Sequence, residues 1–147
     1  VGDGRKMGWL KQEIAKNNLQ DNFFLLGRYS LEEMPHFFVH ANVMLLTLKD
    51  EPIFSLTIPS KIQSYMGFGK PIVGMLNGAG NEIIKEARCG YACSAGNYEE
   101  LAENILKIYS NENTILINFG INAKNYYDIY FSKHKIINDL ENYFKLN

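Results

Sequence analysis

Four short apolar runs, alternating with segments of helical character, constrain this chain more than any other feature. They are Asn22-Phe23-Phe24-Leu25-Leu26-Gly27, Val43-Met44-Leu45-Leu46-Thr47-Leu48, Pro71-Ile72-Val73-Gly74-Met75-Leu76 and Gly90-Tyr91-Ala92-Cys93. Each is too short for a core helix, and the longer ones are apolar without alternation, which predicts strands covered on both faces. Between them the spacing changes. Met7, Trp9, Leu10, Ile14 and Ala15 predict a helix over residues 5–18. Ser30 with Glu33 three positions on forms a capping box for a helix towards Ala41. Further helices are expected from Pro59 to Gly67, over 81–88, over 98–109 behind Asn97 as cap, and within 126–146, where Ile136, Ile137, Leu140, Tyr143 and Phe144 share one side. Strands and helices in this order predict a Rossmann-like three-layer α/β/α fold with a mostly parallel sheet.

With 147 residues, 46% of them hydrophobic, the chain suits a single domain, 1–147. A net charge of -1 gives no global field towards nucleic acid or an anionic membrane, so any anion site must be local. Cys89 and Cys93 are too few for a disulfide framework and lack metal-site spacing, so buried free thiols are expected. No stretch approaches the ~20 apolar residues of a membrane span. Val1-Gly2-Asp3-Gly4 carries no signal-peptide pattern, which predicts a cytoplasmic protein. A strand is expected to run into Val1, and the chain reads as part of a longer polypeptide.

In parallel sheets ligands bind beyond the carboxyl ends of the strands. Three loops qualify: Gly2-Asp3-Gly4, residues 50–60, and Asn77-Gly78-Ala79-Gly80. The second ends at Pro59-Ser60-Lys61, where a lysine in the first helical turn opposes the helix dipole. An anion held by the free N–H groups, the Ser60 hydroxyl and the Lys61 ammonium removes that conflict. The alternative is a lysine pointing into water. The loop at 77–80 offers close backbone approach to a phosphate or sugar, or is a simple turn into a helix. Gly2-Asp3-Gly4 is half a dinucleotide fingerprint without its remaining glycine and acid, which disfavours a nicotinamide cofactor. His36 and His40 have i,i+4 spacing but no adjacent glutamate, so a partly buried packing pair is expected rather than zinc. Asp50 and Glu51 either meet a ligand or are simply solvated. Phe119, Tyr126, Tyr127, Tyr130, Phe131, Tyr143 and Phe144, without interleaved basic residues, suggest packing rather than a nucleic-acid platform.

Taken in order, Val1-Gly2-Asp3-Gly4, Phe24-Leu25-Leu26-Gly27-Arg28, Ala41-Asn42-Val43, Pro59-Ser60-Lys61 with Tyr65-Met66, Gly69-Lys70-Pro71-Ile72-Val73, Glu82-Ile83-Ile84 and Gly90 resemble the C-terminal half of a GT-B glycosyltransferase of family 4. The version from Phe54 to Tyr65 is most similar to L-fucosamine transferases of bacterial capsule and O-antigen clusters. The resemblance implies a domain that binds a nucleotide-diphosphate sugar, a UDP-sugar, as substrate. It implies retention of anomeric configuration and no essential metal or other cofactor. The expected partners are an N-terminal domain of the same protein and, through it, a glycan or lipid-linked acceptor. The full protein would be cytoplasmic, peripheral at the inner membrane face. By position, Gly27 and Arg28 would lie near the base, Pro59, Ser60 and Lys61 near the diphosphate, and Ser64 near the ribose. Glu51, Ser55, Thr57, Gly78 and Gly80 are candidate sugar contacts.

Where most relatives carry two glutamates, this chain has Leu56 and Ser64. The Ser64 hydroxyl lacks a carboxylate's charge, and the Leu56 side chain has no polar atom. No catalytic residue is therefore assigned. The family's basic phosphate-binding pair, with the domain's first strand and helix, is expected upstream of Val1, so this stretch alone should not catalyse transfer. Rival expectations are a UDP-sugar epimerase of the same fold and a nucleotide-binding or assembly domain without chemistry. Part of the aromatic face after Phe119 is expected to meet the other domain.

Overall fold

A computed structural model describes residues 1–145; Leu146, expected in the last helix, lies outside them. The chain divides into two compact units, Val1–Phe37 and Phe38–Asn147.

The first unit contains helix α1 (Met7–Lys16), a 3-10 turn at Leu31–Glu33 and the start of α2 (Met34–His40). Ile14 is the buried residue of α1, and Asn18 closes the helix at φ 55, where Leu19 N–H reaches the Ile14 carbonyl. The Ser30 N–H donates to the Glu33 carboxylate at 2.9 Å, the back-reaching half of the expected capping box. Residues 22–27, expected as a strand, do not form one, and residues 1–4 are likewise irregular. One backbone bond joins these segments, Gly2 N–H to the Gly27 carbonyl at 2.7 Å, and Phe23, Phe24 and Leu26 remain about half exposed or more. A strand is defined by its ladder, and apolar composition without a paired neighbour does not make one.

The second unit holds an open parallel sheet in the order β1 (Met44–Thr47), β2 (Ile72–Met75), β3 (Gly90–Cys93). Leu45 stands opposite Val73, which stands opposite Tyr91. One face carries Leu46, Ile72 and Ala92, which join Ile62, Tyr65 and Met66 of α4 (Ser60–Gly67), Ile83 and Ile84 of α5 (Ala79–Glu86) and Ala123 of α7 (Asn113–Tyr130) in a single core. On the opposite face, helix α6 (Tyr98–Ser110) meets β2 and β3, with Val73 and Cys93 buried there. Asn97 caps α6 as expected, its side chain accepting the Glu100 N–H. The observed sheet with flanking helices is the expected Rossmann-like α/β fold.

Other boundaries moved. The segment 49–60 contains a short helix, α3 (Pro52–Ser55). Pro59 is the N-cap of α4, in extended conformation, rather than its first helical residue. Helix α5 starts at Ala79 instead of Asn81 and stops before Arg88, which turns to φ 49. The terminal helix expected within 126–146 is α8 (Lys133–Lys145), and the separate helix α7 before it runs on to Tyr130. Tyr126, Tyr127 and Phe131 pack on the core and Phe119 stacks edge-on against Tyr91, while Tyr130, Tyr143 and Phe144 are exposed.

Candidate functional site

At the carboxyl edge of the sheet the starts of α4 and α5 lie side by side. Gly80, in the first turn of α5, packs so closely that a Cβ there would sit 3.2 Å from Pro59 Cδ and 3.1 Å from Ile62 Cδ1. Neither helix start carries a side-chain cap. The Ile62 N–H returns to the Pro59 carbonyl, and the Asn81 and Glu82 N–H groups return to Gly78. The first N–H groups of each helix, at Ser60, Lys61, Ala79 and Gly80, thus have no intrahelical acceptor, and each helix start is the positive end of its dipole. Lys61 is exposed and makes no ion pair with any of the described residues. Helix starts of this kind, one of them carrying a lysine in its first turn, are suited to an anion.

The other expected site residues fall into distinct settings. Ser64 is exposed and its hydroxyl donates to the Ser60 carbonyl at 3.2 Å, leaving its lone pairs for another donor. The Ser55 hydroxyl donates to Pro52 and the Thr57 hydroxyl to Ile53, so both help close α3. Glu51 faces Lys49 at 3.7 Å. The space beside Gly78 and Gly80 is filled by protein: the Ser55 carbonyl at the first, Leu76, Ile62 and Pro59 at the second. Gly27, at φ 78, and exposed Arg28 belong to the first unit.

Two residues gained roles that spacing did not reveal. The Asn77 amide donates to Asp50 Oδ1 at 2.8 Å and accepts the Ala95 N–H at 3.0 Å. Asp50 is therefore tied into the edge rather than merely solvated. The buried Asn81 amide donates to the carbonyls of Leu76 and Cys93, fixing the first turn of α5 to the ends of β2 and β3. An asparagine at a strand end beside glycine was the available signal, since Asn commonly bonds backbone at such sites.

His36 and His40 are both exposed, correcting the expected partly buried pair: this short helix turns their side of its surface to solvent. Among the described residues no group of three or more His, Cys, Asp or Glu is placed to hold a metal ion. Cys89 and Cys93 are free and buried, as expected. Burial pushes the Cys89 thiol up to about 12 and also raises Cys93. No helix among the described residues is long and apolar enough to cross a membrane.

A parallel α/β sheet with flanking helices and two helix starts beyond its strand ends defines a Rossmann-like domain. The chain belongs to the glycosyl transferases group 1 family, whose pattern matches residues 1–111. It is 24% identical over 141 residues to the N-acetyl-alpha-D-glucosaminyl L-malate synthase of Bacillus anthracis. That match covers 96% of this chain but 35% of the relative.

Proposed function

We propose that this chain is the donor-binding part of a glycosyltransferase whose substrate is a nucleotide-diphosphate sugar, with an acceptor-binding domain elsewhere in the same protein. One observation carries the reading: in a chain of this family, the uncapped starts of α4 and α5 lie against each other, and the first turn of α4 carries Lys61, exposed and without an ion pair among the described residues. Charge develops on the diphosphate as the glycosidic bond to it breaks. Helix N–H groups and Lys61 are preorganised donors for that charge and act without reorganising during the reaction. Ser64 then offers its oxygen to a ribose hydroxyl.

The relative is named as a synthase of an N-acetylglucosaminyl compound, which makes UDP-N-acetylglucosamine the first donor to try. Similarity of the segment from Phe54 to Tyr65 to L-fucosamine transferases favours an amino-deoxy sugar and a role in surface polysaccharide synthesis at the inner membrane face. Transfer would retain configuration, and the 147-residue stretch alone would be inactive.

A second reading has its own support. Leu56 is 84% exposed and the Ser64 hydroxyl donates to a helix carbonyl, and neither side chain carries the carboxylate that the family resemblance implies for its position. A nucleotide-binding module without chemistry would tolerate both.

Titration of labelled protein with UDP separates these readings from a chain that binds nothing. The Ser60 and Lys61 amides should shift, and Lys61→Ala should weaken binding about tenfold, as expected for loss of a charged contact to phosphate. Absence of any shift at millimolar UDP, in this chain and in the natural protein, would overturn the proposal. Binding without transfer across a panel of UDP-sugars and acceptors would leave the module.

A further inference from the structure

A single side chain, that of Asn77, ties together the segments leaving all three described strands. Its Nδ2 donates to Asp50 beyond β1, and its Oδ1 accepts from Ala95 beyond β3. Asn77 itself follows β2 and precedes Gly78, which turns the chain against the Ser55 carbonyl and opens α5. A carboxamide suits this task because it carries a donor and an acceptor on one rigid plane. A carboxylate in its place would face Asp50 with like charge.

The two parts of the edge are anchored differently. The start of α4 is fixed by the Pro59–Ile62 bond and by Ile62, which is fully buried in the core. Residues 50–57 are largely exposed, and their hydroxyls are spent on their own helix carbonyls. This segment is internally ordered and meets the edge through the Asp50–Asn77 bond and the Ser55 carbonyl against Gly78. Loosening the Asn77 tie should therefore move residues 50–57 and leave Ser60 and Lys61 in place.

Resting on the reading that this edge takes a nucleotide sugar, we propose that Asn77 is a positioning residue for the sugar moiety. Together with the Ser55–Gly78 contact it sets how residues 50–57 lie against the start of α5, and so governs how much the sugar adds to nucleotide binding.

The test compares affinities for UDP and UDP-N-acetylglucosamine in the natural protein and in its Asn77→Ala, Asp50→Ala, doubly substituted and Asp50→Asn forms. Asn77→Ala and Asp50→Ala should each weaken the nucleotide sugar about fivefold, the scale of one hydrogen bond, with UDP changed less than about twofold. The double substitution should be no worse than either single one, and Asp50→Asn, which keeps an acceptor oxygen, should retain the sugar increment. In the labelled chain, the Ala95 amide should exchange faster on Asn77→Ala while Ser60 and Lys61 keep their shifts. Equal weakening of both ligands, or a sugar increment unchanged by Asn77→Ala, overturns the positioning role. If the unsubstituted protein binds neither ligand, the donor-site reading falls first and this role with it.

Discussion

Gly78 and Ser55 meet backbone to backbone at the edge of the sheet: a Cβ on Gly78 would lie 1.9 Å from the Ser55 carbonyl oxygen. The same residue sits at φ 68, ψ −150, a region open essentially to glycine. Contact and conformation together join the α3 segment to the start of α5. Gly78→Ala should therefore destabilise the chain by about 3 kcal/mol or more, through strain and displaced backbone. Gly4→Ala, at a site with nothing within 4 Å, should stay within about 0.5 kcal/mol. Urea unfolding of the two variants measures the contrast, and equal midpoints would contradict the close approach.

Asn81 gives a second, chemical test of the same edge. Asn81→Ala leaves the carbonyls of Leu76 and Cys93 without their amide donor and should cost about 2 kcal/mol. Asn81→Asp should cost more at neutral pH, because an ionised carboxylate would oppose two carbonyls. That excess should shrink as pH falls and the introduced acid takes up a proton. Thermal unfolding of both variants across the acid range reads the difference.

Adjacent leucines of β1 should behave oppositely. Leu46 is 2% exposed within the core, whereas Leu45, on the other face, is 53% exposed. Leu46→Ala should cost about 3 kcal/mol. Leu45→Ala should cost less than about 1 kcal/mol in this chain, since little area is withdrawn from water there. Denaturant midpoints for the pair test the sidedness of the sheet.

Stability should fall at high pH through Cys89. Burial holds its folded value at about 12, opposed by a weaker backbone hydrogen bond, whereas an unfolded thiol titrates near about 8.5. The folded state keeps a proton that the unfolded state releases, so this contribution is complete below about pH 8.5 and is lost as pH rises towards about 12. Tyr126 adds to the upper part of that window, pushed up to about 12 by burial and then by Glu86. Cys89→Ala should flatten the decline between about pH 8.5 and 9.5, where an unfolded tyrosine is still mostly protonated. An unchanged slope in urea unfolding would contradict the buried thiol.

Several features were legible in the sequence because their causes are local. The runs at 43–48, 71–76 and 90–93 each contain a strand, Asn97 is a cap, and the glycines after Tyr65-Met66 end α4. The order of the motifs carried the family. The run at 22–27 has the same composition and forms no strand, since its ladder partner is a matter of tertiary pairing. Helix α7 was missed before residue 126 because it is apolar on several sides and has the lowest amphipathic contrast of the long helices.

For the candidate site, sequence alone singled out Pro59-Ser60-Lys61, because a proline, a serine and a misplaced cation signal a helix start by local electrostatics. It did not show that a second helix start lies against it, or that Asn77 joins Asp50 to Ala95. Those residues are 27 and 18 positions from Asn77, and only the parallel crossovers bring them together. Periodicity and capping follow from neighbours along the chain, so sequence determined the elements. Contacts between strand ends follow from sheet order and close packing, so only the tertiary structure decided the edge.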